Sequence, residues 1–109
     1  MIFVRITMNV LPEKKLEVMQ TLLSMIEPGK KETGCLSYAA LCNLEDKNSF
    51  SLLQEWETRE DLEHHIKSYR FGVLLGIKTL LHEPPEIKIH TGSQSEGMEA
   101  IHTARSKKD

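Results

Sequence analysis

The order in which the hydrophobic period switches is the strongest constraint this chain places on its fold. Residues 2–10 alternate, with Ile2, Val4, Ile6, Met8 and Val10 set against Phe3, Arg5, Thr7 and Asn9. That is the period of two of a half-buried strand. Pro12 ends it, because proline cannot donate to a ladder and suits the first turn of a helix. Leu16, Met19, Leu22, Leu23 and Ile26 then recur at helical steps. Pro28-Gly29 is expected to end that helix. One further turn over Lys30–Thr33 would close at Gly34, the residue type that accepts positive φ. A second strand is expected over Leu36–Leu44, with Tyr38, Ala40 and Cys42 on one face. After the polar turn Asn43–Ser49 comes a third strand, Phe50–Glu57, with Phe50, Leu52, Gln54 and Trp56 on one side.

Thr58-Arg59-Glu60-Asp61 reads as a capping box that opens a second helix running to Tyr69. Phe71–His82 continues as apolar helix, with a bend allowed at Gly72 and Gly76, until Glu83-Pro84-Pro85 breaks it. Glu86–Thr91 alternates again, with Ile87 and Ile89 inward. The order is β-α-β-β-α-β, the split β-α-β arrangement. The expected fold is therefore ferredoxin-like α+β: an antiparallel four-stranded sheet with helices on one face. It occupies residues 1–91 as one domain. Residues 92–109 differ in composition and form a C-terminal extension. Met98, Ile101 and Ala104 or Arg105 fall at helical steps there, which suits either a short amphipathic helix resting on a neighbouring subunit or a frayed terminus.

Composition removes several function classes. A chain of 109 residues with a net charge of −2 and interspersed signs has neither the basic stripe of a nucleic-acid binder nor an acidic tail. No apolar run approaches the ~18 residues of a membrane span. The opening residues read as a strand rather than a signal peptide. The two cysteines, Cys35 and Cys42, would lie some ~20 Å apart along one extended strand, out of disulfide reach. The expected location is the cytoplasm. The histidines at 82, 90 and 102 are scattered, so no metal site is expected.

His65 is the first candidate for chemistry. It shares a helical stripe with Leu62, Ile66 and Tyr69, whereas His64 points to water. A neutral imidazole facing a pocket can take a proton from a phenol. Trp56, on the inward side of its strand, can stack on an aromatic ligand and donate its N–H. Tyr38 offers a hydroxyl. Asn9 is the better pocket candidate on the first strand, since an amide binds a carbonyl without the cost of burying a charge; its face lines either the pocket or a dimer surface. A packed core would use the same residue types, and spacing alone leaves that open. Cys42 has no neighbour in sequence that would activate it. No cationic cluster is expected around the pocket, which counts against phosphorylated substrates.

Several motifs occur in a fixed order: Gly34-Cys35-Leu36-Ser37-Tyr38, the strand Phe50-Ser51-Leu52-Leu53-Gln54-Glu55-Trp56-Glu57-Thr58, Leu62-Glu63-His64-His65-Ile66-Lys67-Ser68, Phe71, and Pro84-Pro85-Glu86-Ile87. Together they resemble the antibiotic-biosynthesis monooxygenase domain, with its Gly-Cys-x-x-Tyr entry to the second strand. That domain also has a tryptophan closing the third strand and a helical Leu-x-x-His step nine residues later, as Trp56 and His65 stand here. The usual Ala-Leu before the histidine is Asp61-Leu62. The resemblance implies a homodimeric α+β barrel with a pocket between sheet and helices in each subunit. It further implies oxidation of quinol- or polyphenol-type molecules by O2 without metal, flavin or haem. His65 would then be catalytic, and Trp56, Asn9 and Tyr38 would bind substrate. Other members isomerise small metabolites, so an isomerase of a small carbonyl compound, or a dimer that binds a small ligand without turnover, are the alternatives. A haem-degrading branch needs an axial histidine where this chain has Val73-Leu74-Leu75-Gly76-Ile77.

Overall fold

Alternation along the first strand decides which side of the sheet is covered. In a computed structural model, which describes residues 1–92 and 94–107, β1 (Ile2–Asn9) buries Ile2, Val4, Ile6 and Met8. Phe3 and Arg5 face the other way and stay exposed. The remaining core elements follow as α1 (Lys15–Lys30), β2 (Cys35–Cys42), β3 (Ser49–Trp56), α2 (Arg59–Ile66), α3 (Tyr69–Gly76) and β4 (Glu86–Thr91). Short 3-10 turns sit at Pro12–Lys14 and Ile77–Leu80. The sheet order is β2-β3-β1-β4, antiparallel at every junction. This is the ferredoxin-like α+β fold that the order of periods predicts.

Register carries the alternation across the sheet. Ile2 pairs with Trp56, Val4 with Gln54 and Ile6 with Leu52, while Tyr38 pairs with Gln54 from the other side. Paired residues share a face, so Tyr38, Gln54 and Trp56 all lie beneath the helices. Val18, Leu22, Met25, Leu62, Phe71 and Leu74 cover them from α1, α2 and α3. Ile87 and Ile89 are in register with Ile6 and Val4. Both are only half covered, because β4 is an edge strand.

Three local expectations are corrected. Helix α1 does not end at Pro28-Gly29 but runs through both to Lys30. Proline removes one helical donor there, yet the turn it weakens begins at exposed Ser24, whose carbonyl water can satisfy. Gly29 is kept for space: a Cβ at that position would lie 2.8 Å from the Tyr38 ring. Second, the helix after the capping box stops at Ile66 and restarts at Tyr69, because the Ser68 hydroxyl accepts from the Phe71 amide at 3.2 Å and caps a new helix. Tyr69 is therefore not on the inward stripe and is 87% exposed. Third, the capping box closes differently: Thr58 Oγ1 accepts from the Asp61 amide at 3.1 Å and donates to Asp61 Oδ2 at 2.9 Å, so the acid meets the hydroxyl rather than the backbone.

Gly34 does what the sequence requires of it. It takes φ +79° at the entry to β2, and its carbonyl accepts from the Glu57 amide at 2.8 Å. A side chain there would also run into the Asp61 carboxylate. Beyond β4, α4 (Met98–Ser106) buries none of its residues against the rest of the chain. Among the described residues no helix is long and apolar enough to cross a membrane.

Candidate functional site

Four elements deliver aromatic side chains to one place under the helices. Trp56 is the last residue of β3, Tyr38 lies in β2, His65 in α2 and Phe71 in α3. The His65 ring stacks on Trp56 with centroids 4.6 Å apart and planes 30° from parallel. Tyr38 and Phe71 meet it edge-on at 6.1 Å and 5.5 Å. Such offset and T-shaped contacts suit the quadrupoles of the rings. His65 is only 3% exposed and Trp56 fully buried.

Two polar partners hold this cluster, and neither was among the sequence candidates. Glu32, just past α1, brings Oε2 to 2.7 Å from His65 Nδ1. A carboxylate only accepts, so the bridging hydrogen belongs to Nδ1, and Nε2 of the neutral ring carries the lone pair. Gln54 Oε1 accepts from Trp56 Nε1 at 3.0 Å. An indole N–H only donates, which fixes the way the amide points and turns Gln54 Nε2 away. His65 Nε2 and Gln54 Nε2 are both buried without a hydrogen-bond partner. An unmet buried polar group costs about 1–3 kcal/mol.

Electrostatics keep the imidazole neutral. Burial pushes the His65 pKa below its ordinary 6.5, and nearby Arg70 adds to the effect, against the opposing pull of Glu32. The Tyr38 phenol is pushed up to about 12, mainly by burial and then by the Glu32 charge, so it stays a donor. Burial and Glu32 likewise raise the Cys35 thiol. For His65 the unfolded chain takes up the proton first as pH falls, so stability is full above about pH 6.5 and declines below it. Urea unfolding at about pH 7.5 and about pH 5.5 checks this: the wild type is expected to lose more stability than His65→Asn. Equal losses in the two proteins would remove His65 from the titration.

The Glu32–His65 pair stands between two spaces. The inner one, lined by Met25, Gly29, Tyr38, Arg70, Phe71 and Leu74 besides the pair, is narrower than a water molecule. The outer one is an open recess of about 460 Å³ reaching Trp56, Lys31, Asp61, His64, Lys67 and Ser68. The expectation that no cations surround the pocket is corrected. Lys31, at the C-cap of α1, and Lys67, at the C-cap of α2, line the outer recess, and Arg70, in the first turn of α3, lines the inner crevice.

Of the residues expected at the site, His65, Trp56 and Tyr38 come together and Asn9 does not. Asn9 lies on the opposite, helix-free face of the sheet, where its Nδ2 donates to Glu83 Oε1 at 2.6 Å. A signal for Gln54 was present, since it is the one amide among Phe50, Leu52 and Trp56 on the inward face of its strand. Glu32 gave none, because only the packing of α1 on β2 and of α2 on β3 brings it near His65.

Residues 1–73 match the family model described as antibiotic biosynthesis monooxygenase. The chain belongs to this family. The match contains Glu32, Tyr38, Gln54, Trp56, His65, Arg70 and Phe71, and thus the entire cluster. An uncharacterized protein of Synechocystis sp. is 34% identical over 83 residues, which cover 75% of this chain and 56% of that protein. The chain thus spans little more than half the length of that relative. Among solved structures, a conserved protein of Methanosarcina mazei Go1 is 32% identical with a TM-score of 0.79, covering 84% of this chain and 92% of the other. A Deinococcus radiodurans structure provisionally named as an antibiotic biosynthesis monooxygenase superposes with a TM-score of 0.82 at 17% identity, over 89% of this chain and 97% of its own. At that identity the likeness is one of fold.

Proposed function

We propose that this family member is a cofactor-independent monooxygenase of the cytoplasm that oxidises a quinol- or polyphenol-type molecule with O2. The observation that carries the reading is the Glu32–His65 pair at 2.7 Å, with a buried, unengaged Nε2 on the face of Trp56. His65 Nε2 takes the phenolic proton, and Glu32 steadies the imidazolium that forms. Tyr38, still protonated, donates to the phenolate oxygen, and Trp56 stacks on the ring. The phenolate is electron-rich enough to reduce O2. A new C–O bond gives a hydroperoxide at a ring carbon that bears hydrogen. His65 returns its proton to the outer peroxide oxygen to complete the hydroperoxide; the ring carbon then loses its hydrogen as a proton, the O–O bond breaks to leave a carbonyl, and the departing hydroxide takes up that proton and leaves as water. The substrate itself supplies the electrons. O2 uptake with a panel of hydroquinones and anthrones tests this. Turnover that depends on His65 is expected; ligand binding with no turnover of any member would leave a binding protein instead.

The working unit in this reading is a homodimer, in which residues 1–91 form the domain and residues 92–109 reach to the partner subunit. Its support is the helix-free sheet face, where Phe3, Leu41 and Leu53 stay exposed in one chain, and α4, whose Met98 and Ile101 stay exposed as well. Size-exclusion with light scattering is expected to give twice the chain mass at micromolar concentration, and a clean monomer would refute it.

A further inference from the structure

Arg70 sits where helix electrostatics do not favour it. It lies in the first turn of α3, at the positive end of the helix dipole, and no acidic residue shares that turn. Among the described residues it has no ion-pair partner. Its side chain lines the inner crevice together with Glu32, Tyr38, His65 and Phe71. The acids near the pair are already engaged, Glu32 by His65 Nδ1 and Asp61 by the Thr58 hydroxyl. What remains is an exposed guanidinium without an ion-pair partner, the amino end of α3, and the buried, unpartnered Nε2 of His65.

We infer that Arg70, with the amino end of α3, holds a carboxylate on the aromatic substrate whose hydroxyl meets His65. The inference rests on the reading above for the place where the substrate docks, and it adds the substrate's class: a hydroxylated aromatic acid. A planar guanidinium grips a carboxylate with two parallel hydrogen bonds. The same positive pole favours the phenolate that forms when His65 removes the proton.

The chain has a single tryptophan, Trp56, stacked on His65, so its indole N–H resonance reports on docking at this place alone. The probes are 2,5-dihydroxybenzoate and its methyl ester, titrated into the full chain. The acid is expected to bind about tenfold more tightly than the ester, as one charge-assisted contact allows. Arg70→Gln is expected to bring the two to parity, and Arg70→Lys to keep part of the preference. A wild type that binds both alike, or an Arg70→Gln protein that keeps the full preference, overturns the carboxylate anchor alone. An indole resonance that neither compound moves overturns the docking place as well.

Discussion

His65→Ala is expected to lower the rate of O2 consumption by about 10²–10⁴-fold, the usual worth of a positioned general base. The argument lies in the two nitrogens. Nδ1 is held by Glu32 at 2.7 Å, which leaves Nε2 as the basic atom, and burial holds the ring neutral at physiological pH. Alanine removes the base and also strands Glu32, whose side chain is 18% exposed. Loss of folding must therefore be separated from loss of chemistry. Glu32→Gln does this, because an amide can donate to Nδ1 and shift the hydrogen to Nε2, leaving the ring in place with the wrong nitrogen protonated. Turnover is expected to fall in Glu32→Gln while ligand affinity is retained. An O2 rate that survives His65→Ala unchanged would end the mechanism.

The second large effect is on stability. Trp56→Ala removes the largest fully buried side chain, and a deletion of that size costs about 3–5 kcal/mol. For a chain of 109 residues the thermal midpoint is expected to fall by more than about 10 °C. Part of the loss is local and specific, because the His65 ring loses its stacking partner and Gln54 Oε1 loses its donor. Trp56→Phe keeps a stacking face but not the N–H, so it separates the two. It should cost about 1–3 kcal/mol, the penalty of one stranded buried acceptor. Circular dichroism melts read both values, and a shift of only a degree or two for Trp56→Ala would mean that the indole is not the wall of a packed site.

Much of the fold was legible because sheet and helix periods differ and because each strand has only two faces. The alternation in β1, the inward set Phe50, Leu52, Gln54 and Trp56 in β3, and the bounds of β4 all follow from that. Gly34 at positive φ and the Thr58 cap also follow from local chemistry. The period does not carry every stop and restart of a helix. Pro28-Gly29 looks like a stop, yet the turn is held because Tyr38 packs on Gly29 from the sheet. The stripe extrapolated from Leu62 to Tyr69 assumed one helix, and the Ser68 cap made two.

The period switches that order the strands and helices, with the aromatic and histidine positions they turn inward, were determined by the sequence alone, since side-chain direction in a strand or helix follows from residue number. Tertiary structure decided the rest of the site. Glu32 lies 33 positions before His65, and no spacing rule joins them. Arg70 reaches the same crevice only because the helix restarts after Lys67. Asn9 shares its strand with buried residues but sits one step out of phase, and the side of the sheet on which the helices pack left it away from the site.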